Sequence, residues 1–401
     1  MRTLRPIFLA AFFFSLHIAI VSYINSSMLG SVLQPKAVSF VFALGSLLSI
    51  LLIHRSGVFI RRFGNFRSIL TLFGLSALLL CGIGVSNGHW TSILLFIPYF
   101  ALNSLVYYSF DVFIEHLAGQ KKVGNTRGLF LTLNNLAWVG MPVLAGALEG
   151  HYGFGIVYFF AACAVVSAFL IIAIGERGYR DAPYTQISFS HLFLRLRKRD
   201  NVRHAIIINF FLQLFYVWMV IYSPLYLTRV LGFSWEAVGG IFSVMLIPFV
   251  LLQYPAGRAA DRFSNERILI AGGFLTAGVA TLIFSLTGEI GAVAVALILF
   301  LTRVGASIIE VANESYFFKT VEDDDTPTIA LFRNMVPLAY LVGPMLGIIL
   351  LGWNMYATLF FILGIIMLGM SLFTIIYSKE SATSAPIDLD PVEDIALVDN
   401  E

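Results

Sequence analysis

A run of about 20 apolar residues recurs twelve times along this chain, near 6–28, 37–54, 68–86, 91–115, 128–149, 152–175, 204–228, 234–256, 268–287, 290–317, 327–351 and 354–377. That is the length an α-helix needs to cross the hydrocarbon core of a bilayer. Lipid offers no hydrogen bonds to an open backbone, so each run predicts a helix. Composition agrees: 59% of residues are hydrophobic and 12% charged, against about 25% charged in ordinary soluble domains. The expected class is an all-α membrane protein with twelve transmembrane helices. Arg2 and Arg5 precede the first run as in a signal peptide. No small-residue cleavage site follows, and losing that run would leave an odd number of helices.

Charge sets the orientation. With the N-terminus in the cytoplasm, only Lys36 and Arg229 of the 25 Lys and Arg fall in outer loops, and Arg303 and Arg333 fall inside runs. The remaining 21 (25 minus 4) lie on the inner side. This positive-inside bias predicts a multi-pass plasma (inner) membrane protein with both termini cytoplasmic. Short outer loops hold Glu149, Glu236 and Glu289. The longest connection, 177–203, carries Phe189, Leu192, Phe193 and Leu196 at helical spacing beside Arg195, Arg197, Lys198 and Arg199. It reads either as an amphipathic helix on the inner leaflet or as a plain polar linker. It divides a bundle at 1–176 from a bundle at 204–379, and an acidic tail without apolar periodicity occupies 380–401. Cys81 and Cys163 lie in apolar runs and offer no disulfide framework or metal spacing.

One loop occurs twice, 200 residues apart. The first copy is Gly57-Val-Phe-Ile-Arg61-Arg62-Phe63-Gly-Asn-Phe-Arg67, and the second is Gly257-Arg-Ala-Ala-Asp261-Arg262-Phe263-Ser-Asn-Glu-Arg267. Repetition at half the length predicts two similar halves. In a membrane, such halves point to a transporter with its substrate site between them. Six helices, a linker, six helices and a Gly-x-x-x-Asp-Arg-x-x-x-x-Arg loop resemble the major facilitator superfamily over residues 5–378. The second copy matches that signature at Gly257, Asp261, Arg262 and Arg267. The first has Arg61 where the family has Asp.

The resemblance implies two pseudo-symmetric six-helix bundles that alternate access by rocking. It also implies a cavity lined by the first, fourth, seventh and tenth helices, and loops that latch the halves on the cytoplasmic side. The competing reading is that the loop arginines only enforce topology. Arg61 or Arg62 would meet Glu322, Asp323, Asp324 and Asp325 at the start of the eleventh helix, a latch of reversed polarity. Asp261 would face the start of the fifth helix near Arg127.

Two runs carry polar stripes. Asn103, Tyr107, Asp111 and Glu115 follow each other at i+4 on the fourth. Arg303, Ser307, Glu310 and Glu314 follow at i+4, i+3 and i+4 on the tenth. Both spacings hold one helical face. Ionisable residues within a membrane cost about 2.5–3.5 kcal/mol on insertion scales and are functional candidates. Arg303, near the midplane, is the leading substrate contact or else is permanently paired within the protein. Glu310 and Asp111 are proton-carrier candidates, because desolvation penalises the ionised carboxylate. A fixed Glu310–Arg333 ion pair is the structural alternative. Glu115 and Glu314, near the inner end, suit pairing with the loop arginines.

The seventh run adds Asn209, Gln213 and Tyr216 on one face, and the first adds Ser15, Ser22 and His17. His17 reads as a hydrogen-bonded packing residue before it reads as a relay. Trp138 and Tyr340 occupy matching places in the fifth and eleventh runs. The substrate-binding set is therefore Arg303, Asn103, Tyr107, Gln213, Tyr216 and Trp138.

These features predict a secondary transporter of a small organic solute, coupled to protons as antiporter or symporter, with no cofactor and no enzymatic activity. The expected partners are the substrate, protons and membrane lipids, not nucleic acid, and the chain is expected to act as a monomer. No Gly-x-x-x-x-Gly-Lys-Ser/Thr loop is present for ATP. Gly140, Pro142 and Gly146 in the fifth run lean towards export. Import of a polar metabolite, lipid or lysolipid flipping, and a non-transporting sensor are the alternatives.

Overall fold

The computed structural model describes residues 5–118, 133–134, 136–176, 199–252, 255–256, 266–288, 290–320, 326–350 and 356–380, without some side chains inside helices, among them those of Gly57, Arg61, Asp111 and Glu115. The expectations for Gly257, Asp261, Arg262, Arg127, the acids at 322–325, Glu289, the linker helix and most of the acidic tail lie outside the described residues.

Thirteen described helices make twelve spans. They are α1 (Arg5–Gly30), α2 (Pro35–Phe63), α3 (Asn65–Ser86), α4 (Trp90–Ala118), α5 (Met141–Tyr152), α6 (Phe154–Gly175), α7 (Asp200–Arg229), α8 (Trp235–Leu251), α9 (Glu266–Ser285), α10 (Ala292–Thr320), α11 (Thr326–Arg333), α12 (Met335–Leu350) and α13 (Tyr356–Glu380). α11 and α12 are two parts of the eleventh span. Among the described residues, ten spans are long and apolar enough to cross a membrane; the other two are the shorter α8 and α5, which belongs to the fifth. The protein is an integral, multi-pass, twelve-helix membrane protein.

The outward surface is apolar, with Leu78, Leu94, Ile174, Leu297 and Ile349 among its exposed side chains. Buried polar groups instead join helices. Ser15 donates to Asn134 Oδ1 at 2.8 Å, Tyr158 to Asn25 Oδ1 at 2.7 Å, and Trp218 to the Gly343 carbonyl at 2.9 Å. Where the surroundings are as apolar as the side chains, such bonds and close packing supply the association.

The two halves repeat one pairing pattern. α3 packs on α6 and α4, and α4 on α2; correspondingly α9 packs on α13 and α10, and α10 on α8. Between halves, α2 meets α12, α5 meets α8, and α1 meets α7. A two-fold axis through the centre exchanges the first two contacts and maps the third onto itself.

Two departures from the sequence reading have local causes. The first copy of the repeated segment is mostly helix: α2 runs through Gly57 and Arg61 to Phe63, and only Gly64 separates it from α3. Gly64 has φ +82, where a side chain would be strained. The eleventh span breaks at Asn334, between α11 and α12. Pro337 lacks the N–H that would bond Arg333 O, and its ring would crowd that carbonyl.

With an even number of spans, the start of α1 and the end of α13 lie on one face of the bundle, here called proximal; the opposite face is distal. Three cross-half hydrogen bonds lie in the distal part. Ser39 and Tyr222 share one at 2.7 Å, Val143 N–H donates to Ser243 Oγ at 3.2 Å, and Arg229 donates to the Gly30 carbonyl. α5 and α8 touch through glycines: a Cβ on Gly239 would lie 2.6 Å from Pro142 O and 3.2 Å from Gly146 Cα. The distal face is closed.

Candidate functional site

The tenth-span stripe leads to the centre of the molecule. At 1.5 Å of rise per residue, Tyr23, Tyr216 and Arg303 lie roughly 24–27 Å from the proximal ends of α1, α7 and α10. Arg303 is 1% exposed. Its guanidinium carbon lies 5.0 Å from the ring centre of Phe215 and 5.6 Å from that of Tyr216. Tyr23, from the other half, faces it as well. No carboxylate among the described residues comes within ion-pair distance, and Arg303 Nη1 has no hydrogen-bond acceptor. The Phe215 and Tyr216 rings favour the charge by about 0.5–2 kcal/mol, and Tyr23 is within hydrogen-bond reach, yet Nη1 is left without an acceptor. A buried donor left unmade costs about 1–3 kcal/mol, and more when charged.

Glu310 lies two turns nearer the proximal face, half-buried, with the Tyr216 hydroxyl 3.5 Å from its Oε2. Tyr216 therefore touches both candidates, its ring under Arg303 and its hydroxyl towards Glu310. Along α7, Gln213 donates to Asn209 Oδ1 at 3.2 Å, and Asn209 donates to the Phe332 carbonyl at 2.8 Å. That anchors the α7 stripe to α11.

Aromatic rings surround the cluster. Trp138 meets Tyr23 edge-on at 6.5 Å, and Tyr23 packs on Phe242 at 4.4 Å. Tyr340 reaches across the halves to Phe42 at 6.4 Å and Phe100 at 5.2 Å. Trp138 and Tyr340, paired in the sequence by position, thus differ: Trp138 meets a ring of its own half, and Tyr340 meets rings of the other.

On α4, Asn103 and Tyr107 are half-buried. Asn103 lies beside His17 and Tyr99. The Asn103 Oδ1, Tyr99 hydroxyl and His17 Nε2 are buried and complete no hydrogen bond, the set of partners a buried water takes. His17 Nδ1 contacts the Phe14 carbonyl at 2.5 Å and its ring packs on Phe14 at 4.5 Å. That is the packing histidine the sequence favoured.

Tyr23, Phe215 and Phe242 were not singled out in the sequence. Tyr23 adjoins Ser22, which was; the Ser22 hydroxyl bonds the Ile18 carbonyl of its own helix. The missed signal was the aromatic neighbour one position on.

The sequence model of the Major Facilitator Superfamily matches residues 7–321 and again 236–393. The chain belongs to the major facilitator superfamily. Among solved structures, it is similar to the crystal structure of the peptide transporter POT in complex with sulfate, with a TM-score of 0.74 and 12% identity over 94% of both chains. At that identity the likeness is one of fold. No curated protein matches the sequence. Membership makes the chain a secondary transporter by family.

At the proximal end, Arg267 and Glu314 have partners within the C-terminal half. Arg267 donates to Asn201 Oδ1 at 2.9 Å and to the Tyr316 hydroxyl, all within the C-terminal half. Glu314, expected to meet loop arginines, accepts from Arg333 at 2.7 Å. Arg333, the last residue of α11, thus has Glu314 as an ion-pair partner. Arg62 lies over the Phe63 ring at 5.5 Å, and Arg67 is exposed.

Proposed function

We propose that this protein moves a small organic solute across the membrane by alternating access, with Arg303 holding the solute and Glu310 carrying a coupled proton. The observation that carries the reading is the Arg303–Tyr216–Glu310 array at mid-depth. It joins a buried cation with an open donor to a carboxyl group through one tyrosine. A charge there is costly in lipid, so the site is most stable when its ionised groups balance. Protonation of Glu310 leaves Arg303 with less local negative charge, and the incoming solute group takes that place. Binding of proton and solute then favour each other reciprocally. Asp111, on the α4 stripe of the sequence, is the second proton candidate.

With the positive-inside bias, the proximal face is cytoplasmic and the structure is a state closed to the outside. Opening would part Ser39 from Tyr222, α5 from α8 and Arg229 from Gly30, as the halves rock about the site. The reversed-polarity latch of Arg61 or Arg62 with the acids at 322–325 belongs to the opposite state. Gly146, part of the export-leaning Gly140, Pro142, Gly146 set, has a packing role against Gly239, so neither direction is favoured by it.

Reconstitution tests the reading. In proteoliposomes loaded with a pH-sensitive dye, a panel of organic anions, sugars, nucleosides and amphipathic dyes should contain a compound that moves with protons. Ligand-dependent thermal stabilisation without any flux would instead identify a transporter-like sensor.

A further inference from the structure

The open side of Arg303 narrows the class of solute. We infer that the substrate is an organic anion, its acidic group seated on Arg303 Nη1 and its apolar or aromatic body against Tyr23, Trp138 and Tyr340. The inference rests on reading Arg303 as the solute contact, and it goes beyond that reading by naming the charge and shape of the ligand.

Three observations support it. First, Arg303 is almost wholly buried, and one of its nitrogens has no acceptor. A neutral carbonyl or hydroxyl would supply the hydrogen bond but leave the cation without a close counter-charge. A carboxylate, sulfonate or phosphate supplies both, and charge-assisted bonds are roughly twice as strong as neutral ones. A cationic solute would repel the guanidinium.

Second, aromatic rings hold the guanidinium in place. Its carbon lies 5.0 Å from the Phe215 ring centre and 5.6 Å from that of Tyr216. Tyr23, from the opposite half, brings a hydroxyl to the same place, so an anion seated there touches both halves.

Third, the surrounding side chains are mostly rings. Tyr23, Trp138 and Phe242 form one set, and Tyr340, Phe42 and Phe100 another. A sugar would bring more hydroxyls than the few polar tips of these rings can pair, at a desolvation cost. A flat apolar body would not.

The test uses the purified full chain and four probes, three of one shape. They are naphthalene-2-sulfonate, its neutral sulfonamide, 2-naphthylmethylammonium, and methanesulfonate, which has the acidic group without the body. Equilibrium binding to wild type should rank the sulfonate first, about 10- to 100-fold tighter than the sulfonamide, the range expected for a hydrogen bond to a charged group. Methanesulfonate should bind more weakly than the naphthalene sulfonate, and the ammonium should not compete. Arg303→Gln should remove the preference for sulfonate over sulfonamide. Arg303→Lys should keep part of it, and it serves with the wild-type ranking if Arg303→Gln does not fold.

Sulfonamide binding as tightly as sulfonate in wild type, with both weakened by Arg303→Gln, would overturn the anion class while leaving Arg303 a contact. Binding of every probe unchanged in Arg303→Gln would overturn the contact as well. Failure of wild type to bind the sulfonate, or preference for the ammonium, would overturn the inference outright.

Discussion

Tyr222→Phe removes one hydroxyl from the closed distal face and should shift the molecule towards its outward-open state. Tyr222 and Ser39 are both fully buried, and their hydroxyls lie 2.7 Å apart across the two halves. Ser39 also directs its hydroxyl to the Pro35 carbonyl at 3.1 Å. With the Ser39 proton there, Tyr222 is the donor of the cross-half bond. Phe at 222 then deletes that bond without stranding a donor, and ring packing is kept. Side-chain hydrogen bonds between membrane helices average about 0.6 kcal/mol and reach about 1.7. The ratio of distal-open to distal-closed molecules should therefore rise about 3-fold, with about 18-fold as the ceiling. Gly347→Ala should act the same way by another route, because a Cβ there would overlap the Tyr222 hydroxyl.

Spin labels report the shift. Trp90→Cys and Leu286→Cys place exposed labels at the distal ends of α4 and α9, in opposite halves. Cys81 and Cys163 must first be replaced, since both are free. The long-distance fraction should grow in Tyr222→Phe and in Ser39→Ala, and no further in the double variant than in Tyr222→Phe. An unchanged distribution in Tyr222→Phe, or additive shifts in the double variant, would refute the reasoning that this bond holds the distal face shut.

Three further outcomes are expected. Gly239→Leu should overpack the α5–α8 contact, where a Cβ alone would lie 2.6 Å from Pro142 O. Overpacking costs about 1–3 kcal/mol, so distal closure should weaken about 5- to 150-fold, read by the same label pair. Glu314→Gln breaks a partly exposed pair with Arg333, whose side chain is 34% exposed. Stability should fall by less than about 1 kcal/mol and transport in proteoliposomes should persist; loss of transport would make this pair part of the gate. Tyr216→Phe keeps the ring beneath Arg303 but loses the hydroxyl at Glu310, so anion affinity should hold within about 3-fold while proton stoichiometry changes, measured by paired ligand and pH recordings.

The spans were legible because the membrane leaves an apolar run of this length a single backbone solution. Their ends were less so. Hydropathy stops near 54, where the charged residues of the proximal end begin, whereas the helix continues through Arg55 and Arg62 to Phe63. Beyond the bilayer the apolar rule no longer applies, and only Gly64 ends the helix. The break at Asn334 was written at Pro337, inside a run that still reads as apolar. At the site, helical spacing located Arg303 and Glu310, because their stripe is a property of one helix. What surrounds them comes from α1, α7 and α8 and depends on how the halves pack. Tyr23 and Phe242 therefore passed as ordinary apolar-span aromatics, and the Glu314–Arg333 pair was not legible.

The account turns on a proton carried at Glu310 while a solute is held beside it. The direct measurement compares wild type, Glu310→Gln and Asp111→Asn in proteoliposomes, following exchange of labelled naphthalene-2-sulfonate and internal pH together. Wild type should exchange the sulfonate and accumulate it under an imposed pH gradient. Glu310→Gln should still exchange but no longer accumulate. Accumulation and proton flux unchanged in both Glu310→Gln and Asp111→Asn would contradict the account.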